Sequence, residues 1–415
     1  MNKKIIIHIG PGKTGTSAIQ YWCNSNTDEL LNQGIFYPKH GVDSNNIGSG
    51  NIEAIFEKVS SRLFELSKNK LDNVMMEFEQ SGAHTLLLSS ELFLTKLAII
   101  KDAIPQAEFA VYIRNPLDIF QSIYNQNVKR KMEVKPFTIP PKFKNNLLIY
   151  LNRSIEAMGN SAFHIYPYDR GSFESGSIVT DFLSKVGYRG GHDGNKTINR
   201  SYCYEAPELK RFLNKFNIGN INKDLDLALQ SYSGGTKKFR LLNKTKFERL
   251  KSTTLEELQR FSAANSIDSL TGLMEQIRSQ QYDSVPFIRQ GTLTSEFVSL
   301  FAYLNENYSV LVNKLQSIVK VSSALSYFEV QLCDLLGILK KDPEITFCCL
   351  QMKKIRSNIN VEKSVDSEIN FLLQLSSYFE DMGDKVSALH FMKAAHSKRP
   401  KGPYIQEKLK VLEAV

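Results

Sequence analysis

Cysteine is scarce in this sequence, and long apolar runs are missing. The 415 residues include five cysteines, an odd number at irregular spacings with no C-x-x-C pair: Cys23, Cys203, Cys333, Cys348 and Cys349. This pattern predicts neither a disulfide framework nor a zinc site, and we expect free thiols in a reducing compartment. No stretch reaches the ~20 apolar residues of a membrane helix, and the apolar run near the N-terminus is too short for a secretory signal. We therefore expect a cytoplasmic protein with no membrane span.

Acidic residues are also fewer than basic residues. The chain has 52 Lys and Arg against 43 Asp and Glu, which gives a net charge of +9. A positive field concentrates anions near the protein surface. The basic residues are spread along the chain, and no zinc-finger, RNP or basic-zipper motif is found. The charge balance therefore favours an anionic ligand or partner, and a nucleotide or an acidic glycan would fit it as well as a nucleic acid. In the absence of such a motif we expect no nucleic-acid partner.

Short apolar runs alternate with longer helical patterns through the first half of the chain. The runs predict strands at Ile5–Ile9, Ile35–Tyr37, Thr85–Ser89, Phe109–Ile113 and Ala162–Tyr166. Helices are predicted at Thr14–Gln33, Ile52–Gln80, Pro116–Lys131, Leu147–Met158 and Ser172–Val186. Continuous apolar strands that alternate with helices are typical of an α/β fold with a three-layer parallel sheet, covered by helices on both faces.

The second half of the chain has few strand signals. From about Glu205 the pattern is helical, and after Val285 one helix follows another. Because the chain is longer than an average domain, this change predicts two domains, 1–285 and 286–415, of which the second is an all-α module.

The last helical segment resembles a tetratricopeptide repeat (TPR). Gly383, Ala388, Ala395 and Pro400 have the spacing of that repeat's turn glycine, its small residues at the helix crossing and its terminating proline. Ser376 stands where the repeat usually has an early glycine, and we find no neighbouring copy. Since a repeat needs stacked neighbours to bury its core, a TPR-like hairpin and generic helices both remain open.

A glycine loop ends the first apolar run and leads into a helical pattern, with the sequence "HIGPGKTGTSAIQ". Successive backbone N–H groups at such a turn, next to a helix N-terminus, form a cradle for an anion. Lys13 adds a positive charge, and three hydroxyls add donors. The loop therefore predicts a binding site for a phosphate-like group, made by Gly12, Lys13, Thr14, Gly15, Thr16 and Ser17.

This loop does not fit the nucleoside-triphosphatase motif G-x-x-x-x-G-K-S/T, because Ile7 stands where the first glycine belongs. It resembles the 5′-phosphosulfate loop of sulfotransferases that use 3′-phosphoadenosine 5′-phosphosulfate (PAPS), particularly carbohydrate-type members. The residues that match H-x-G-x-x-K-T-G-T-S/T-x-x-Q are His8, Gly10, Lys13, Thr14, Gly15, Thr16, Ser17 and Gln20. The resemblance implies a P-loop-type fold and PAPS as the cofactor.

The stretch "VYIRNPLDIFQSIYNQ" supplies a second anion-binding pattern. Arg114 follows a predicted strand, Asn115 is suited to cap the next helix, Pro116 fits its first position, and Ser122 follows inside the helix. An arginine fork with a hydroxyl near a helix start is suited to a phosphate, although an arginine–carboxylate pair at an ordinary helix start gives the same pattern. The stretch resembles the 3′-phosphate motif of the same family, which implies that Arg114 and Ser122 bind the 3′-phosphate.

A third candidate, Glu91, follows the predicted strand in "TLLLSSELF". Side chains that follow parallel strands meet at one edge of the sheet, where ligands bind. In the enzymes that this chain resembles, the catalytic base follows this strand and is a glutamate or a histidine. The resemblance implies that Glu91 takes the acceptor proton and that Lys13 neutralises charge on the leaving 5′-phosphate. His8 remains an alternative base, or a structural histidine at the end of its strand.

The resemblance covers roughly residues 4–275 and implies a PAPS-dependent sulfotransferase. Such an enzyme moves a sulfuryl group to an acceptor hydroxyl, here on a carbohydrate or glycolipid, and we expect no metal cofactor. A P-loop kinase is a second interpretation, which the missing glycine disfavours. A third is a helical adaptor that binds nucleotide without catalysis and holds a protein partner through its C-terminal helices.

Overall fold

The chain has an α/β architecture with one parallel sheet and many helices. The computed structural model describes residues 3–42, 48–60, 63–140, 143–190, 202–320, 325–338, 365–381 and 384–413. The chain forms two compact units. Unit 1 comprises residues 1–131, 136–201 and 238–287, and unit 2 comprises residues 132–135, 202–237 and 288–415. The predicted division into domains at residue 285 stays a prediction.

Seven strands are found among the described residues. In chain order they are β1 (Lys4–His8), β2 (Ile35–Phe36), β3 (Phe56–Lys58), β4 (Phe64–Leu66), β5 (Thr85–Ser89), β6 (Ala107–Ile113) and β7 (Phe163–Pro167). Five of them form a parallel sheet in the order β2–β5–β1–β6–β7, and β3 pairs antiparallel with β4. Each of the five predicted strands is confirmed, with small shifts at the ends.

The helices follow the same chain order. They are α1 (Thr16–Ser25), α2 (Thr27–Asn32), α3 (Lys68–Gln80), α4 (Leu97–Ala103), α5 (Pro116–Arg130), α6 (Asn146–Met158), α7 (Ile178–Lys185), α8 (Glu205–Leu213), α9 (Asn222–Ser231), α10 (Lys244–Asn265), α11 (Thr271–Ser279), α12 (Glu296–Asn307), α13 (Ser309–Ile318), α14 (Tyr327–Leu335), α15 (Val365–Asp381), α16 (Lys385–Lys398) and α17 (Pro403–Glu413).

The predicted continuous helix over Ile52–Gln80 is wrong in its first half. Only Lys68–Gln80 is helical, as α3, and the residues before it form a 3₁₀ turn and the β3–β4 hairpin. Phe56 and Phe64 are buried, and each is followed by an exposed glutamate. This alternation has the period of a strand, which a helical count of apolar residues over a long window does not detect.

Helices cover both faces of the sheet, as predicted. Ile5, Ile7 and Ile9 point into a core with apolar residues of α3, α4, α5, α6, α10 and α11. Ile6 points to the opposite face and packs with residues of α1, α2 and α7. Because successive side chains alternate across a strand, a run of isoleucines suits a strand that is buried on both faces.

The strand order places a switch of direction beside β1. After β1 the chain continues to β2, on one side of β1 in the sheet. After β6, which pairs with β1, the chain continues to β7, on the opposite side. Connections that diverge in this way open a crevice at the carboxyl ends of the two strands. The glycine loop follows β1 and Arg114 follows β6, so both motifs lie at this crevice.

In unit 2, helix α8 carries charged residues that are buried and paired. Glu205 accepts hydrogen bonds from the hydroxyls of Thr236 and Thr294, each at 2.8 Å. Lys210 is fully buried, and its ammonium donates to Asn214 at 2.7 Å. Burial lowers the pKa of Lys210 to about 8, although the nearby carboxylate of Asp226 acts in the opposite direction. Buried charges need such partners, so α8 is fixed in place by polar contacts as well as by packing.

The C-terminal helices of unit 2 have their own small core. Ala388 and Ala395 of α16 are fully buried, and the Ser376 hydroxyl donates to the Ala388 carbonyl at 2.8 Å. Small residues therefore lie where α15 and α16 pack closely, as the repeat pattern expects, while Gly383 lies outside the described residues. Kinship with TPR proteins stays a prediction.

In the part of the chain that the structure describes, no helix has both the length and the apolar character needed to cross a membrane.

Candidate active site

The loop after β1 turns through three residues with positive φ. These residues are Gly10, Lys13 and Gly15, with φ of 84°, 73° and 81°. The positive φ of Lys13 is unusual, because a non-glycine residue in the left-handed region is strained. Such strain concentrates at ligand-binding sites. Gly15 then precedes α1, whose N-terminus therefore has its first amide groups at the loop, as an anion site requires.

Gly15 also leaves no room for a side chain. A Cβ built on Gly15 would lie 2.8 Å from the Cγ2 atom of Ile178 in α7. The glycine is thus required by both backbone conformation and close packing, which holds the start of α1 against α7.

Two of the predicted hydroxyl donors act within the loop. The hydroxyls of Thr14 and Thr16 donate to the carbonyl of Pro11 at 2.6 and 3.1 Å, and both threonines are buried. These bonds hold the loop closed upon itself. Ser17, in contrast, is exposed. The structure therefore gives Thr14 and Thr16 a role in loop shape, and their contact with a ligand stays a prediction.

Arg114 joins the second motif to the first. Its Nη1 donates to the carbonyl oxygen of Lys13 at 2.5 Å, and its guanidinium stacks on the ring of Tyr168 at 4.8 Å. Asn115 caps α5 by accepting from the Leu117 amide at 3.0 Å, and Pro116 is the first helical residue, as predicted. The guanidinium is thus held beside the glycine loop by a charge-assisted hydrogen bond and by an aromatic face.

Glu91 lies against the same loop. It begins a 3₁₀ turn after β5, where the Ser90 hydroxyl caps by accepting from the Leu92 amide at 3.2 Å. A Cβ built on Gly12 would lie 3.7 Å from both carboxylate oxygens of Glu91. The carboxylate therefore lies within van der Waals distance of the loop at Gly12.

The charges at the loop act on Lys13. Burial lowers the pKa of the Lys13 ammonium below its ordinary value of 10.5; the Glu91 carboxylate raises it, and the Arg114 and Arg130 guanidiniums lower it further. A lysine that is desolvated and crowded by cations gains more from a bound anion than an exposed lysine does. The arrangement is suited to an anionic ligand.

Both motifs line one cavity of about 920 Å³ in unit 1. From the loop it is lined by Pro11, Gly12, Lys13, Gly15, Thr16 and Ser17. Glu91, Arg114, Tyr168, Arg170 and Phe173 line it from the ends of other strands. Helix α5 and the segment after it contribute Pro116, Ile119, Phe120, Ile123, Gln126, Phe143, Asn145 and Leu147. The volume suits a nucleotide-sized ligand.

Three predicted residues do not line this cavity. Thr14 faces inward, Ser122 is half-buried on α5, and His8 is fully buried. Conversely, sequence reasoning missed Tyr168 and Arg170. They follow β7, so the rule that ligands bind beyond the carboxyl ends of strands would have found them.

His8 has the surroundings of a structural histidine. Its Nδ1 lies 2.8 Å from the Ser89 hydroxyl, and its ring contacts Phe182 with centroids 4.7 Å apart. Burial lowers the pKa of His8 to about 3. The ring is enclosed and does not line the cavity, whereas Glu91 does.

This burial predicts a loss of stability in mild acid. The unfolded chain takes up a proton near pH 6.5, whereas folded His8 stays neutral down to about pH 3. The contribution of neutral His8 to the free energy of unfolding is therefore complete above pH 6.5. It is lost as the pH falls from 6.5 toward 3, by up to ~1.4 kcal/mol per pH unit. The free energy of unfolding, measured with urea between pH 7 and 4.5, should depend less steeply on pH in His8→Asn than in the wild type. The matched control is His390→Asn, at an exposed histidine, which should keep the wild-type slope. Equal slopes in all three proteins would contradict the assignment.

Metal ligands do not cluster in the described ranges, where no group of three or more His, Cys, Asp or Glu side chains is placed to hold an ion.

Comparison with known proteins gives little. No protein-family model and no curated protein matches the sequence. Among solved structures, a sulfotransferase from Alicyclobacillus acidocaldarius is similar, with 14% identity and a TM-score of 0.36, over 67% of this chain and 100% of that chain. A likeness this weak carries no argument about the activity of this protein.

Proposed function

We propose that this protein is a PAPS-dependent sulfotransferase with a P-loop-type fold. The observation that carries the proposal is the bond between the Arg114 guanidinium and the Lys13 carbonyl, which joins the two anion-binding motifs in one cavity. A nucleotide with phosphates at both ends needs two cationic sites within one pocket. Lys13 and Arg114 supply them, one from the loop after β1 and one from the end of β6.

The residues present fit such a donor. The helix N-terminus at Gly15 and the loop amides suit the 5′-phosphosulfate, with Lys13 as the neutralising cation. Arg114, with Arg170 on the same cavity, suits the 3′-phosphate. Ser122 is kept as a second ligand of that phosphate on the strength of the motif alone. Tyr168 holds the Arg114 guanidinium by its ring face, which fixes the direction of the fork.

The proposed reaction is a single in-line transfer. The acceptor oxygen forms a bond to sulfur while the bond from sulfur to the 5′-phosphate oxygen breaks, and the products are a sulfate ester and 3′,5′-bisphosphoadenosine. Glu91 accepts the proton of the acceptor hydroxyl, and Lys13 neutralises the charge that grows on the leaving phosphate. Transfers of this kind depend mainly on positioning and preorganised charge.

The test is a comparison of two nucleotides by calorimetry. We expect 3′,5′-bisphosphoadenosine to bind at least about tenfold more tightly than ATP with magnesium, because only the former has the phosphate that Arg114 would hold. Sulfur-labelled PAPS, offered with extracts rich in carbohydrates and glycolipids, should then label an acceptor. Tighter binding of ATP together with phosphoryl transfer would instead support a kinase.

The acceptor is proposed to be a sugar hydroxyl, because the loop resembles that of carbohydrate-type members. A protein partner at the C-terminal helices and a cytoplasmic location belong to the same proposal.

A further inference from the structure

One side of the cavity is apolar. It is formed by Ile119, Phe120, Ile123, Phe143 and Leu147, which we call the apolar wall. The first three lie on one face of α5, because Phe120 and Ile123 follow Ile119 by one and four positions. Ile123 keeps 42% of its surface exposed, although it is a large aliphatic side chain within a cavity. Apolar surface left open in a concave site marks a place where a ligand packs.

The apolar wall is a built surface with a fixed shape. The rings of Phe120 and Phe143 pack edge to face with centroids 5.1 Å apart. Both rings also pack against the buried core below the sheet, together with Leu147. Aromatic side chains held from behind in this way present a rigid apolar surface, which loses little conformational entropy when a ligand covers it.

Charge is divided unequally around the cavity. Among the lining residues that the structure describes, the cations are Lys13, Arg114 and Arg170, and none of them belongs to the apolar wall. Two amides also line the cavity, Gln126 on α5 and Asn145, which caps α6. Amides donate to and accept from the hydroxyl groups of a sugar.

We infer that the apolar wall is the acceptor subsite and that the acceptor is a glycoside with an apolar aglycone, such as a glycolipid. The inference rests on the proposed function, and it narrows the acceptor beyond a sugar hydroxyl. The amides face the hydroxyls of the sugar, and the isoleucines and phenylalanines cover the apolar group attached to it. The donor occupies the cationic part of the same cavity.

The test uses two glycosides that differ only in the aglycone. Octyl β-glucoside, below its micellar concentration, and methyl β-glucoside are titrated into the full-length protein, with and without saturating 3′,5′-bisphosphoadenosine. We expect the octyl compound to bind at least about 30-fold more tightly, since each buried methylene contributes about fourfold in affinity and the burial of two or three of the additional methylenes is enough. Equal affinities, or no detectable binding of either glucoside at millimolar concentration, would overturn the inference.

A matched pair of variants locates the effect. Ile123→Asn should reduce the octyl-to-methyl preference by at least about fivefold. Ile149→Asn makes the same change at an isoleucine that is 38% exposed on α6 and does not line the cavity, and it should keep the preference. An equal loss in both variants would also overturn the inference. Failure of the bisphosphate to bind would refute the proposed function, whereas normal bisphosphate binding without an octyl preference would refute the inference alone.

Discussion

Replacing Glu91 with glutamine should reduce sulfuryl transfer by about 10²–10⁴-fold, the usual contribution of a positioned general base. The carboxylate lies against the glycine loop, where a Cβ at Gly12 would be 3.7 Å from its oxygens, and it lines the cavity. Glutamine keeps the size of the side chain and removes its ability to accept a proton. The loss should appear in kcat, measured with labelled PAPS and a saturating acceptor.

The affinity of Glu91→Gln for 3′,5′-bisphosphoadenosine shows whether a loss of turnover comes from the missing base or from a disturbed cavity. Removing the negative charge of Glu91 leaves the cations of the cavity unopposed, so bisphosphate affinity should stay the same or rise slightly. Glu53→Gln, at an exposed glutamate of a 3₁₀ turn in the same unit, is the matched control and should keep full turnover. Retained turnover in Glu91→Gln would remove Glu91 as the base.

Local sequence patterns predicted the elements that carry the site. The loop after β1 and the start of α5 depend on residues close in sequence, because glycine permits the turns, Asn115 caps and Pro116 suits a first turn. Both elements could therefore be predicted from a short stretch of sequence. The same reasoning failed over Ile52–Gln80, where a helical period was assumed across a hairpin.

The relation between the motifs could not be predicted in the same way. The contact between Arg114 and Lys13 joins residues that are 101 positions apart in the sequence, and it exists because β1 and β6 are neighbours in the sheet. The sequence patterns predicted two anion-binding motifs, and the structure places both on one cavity. The apolar wall was missed because isoleucine and phenylalanine on a helix are typical of an ordinary core, and only exposure within a cavity distinguishes them.

Lys13→Ala should lower turnover by about 10²–10³-fold, the usual cost of losing a preorganised charge that acts on the transition state. Lys13 has a φ of 73°, so the side chain and the strained backbone must be separated. Alanine removes the charge and keeps the strain, whereas Lys13→Gly removes both. Similar losses in kcat for the two variants would show that the charge matters, and a much milder loss in Lys13→Gly would point to loop geometry instead.

The pH dependence provides an independent check on Lys13. Burial, reinforced by Arg114 and Arg130 and opposed by Glu91, lowers the pKa of the ammonium below 10.5. The protonated form binds the anion, so affinity for 3′,5′-bisphosphoadenosine should fall as the pH rises, beginning below the range of an ordinary lysine. Lys13→Arg should keep its affinity to higher pH, because a guanidinium has a pKa above ~12. A wild-type affinity that is as flat with pH as that of Lys13→Arg would mean that Lys13 does not contact the ligand, and the 5′-phosphosulfate would have to be bound by the loop amides alone.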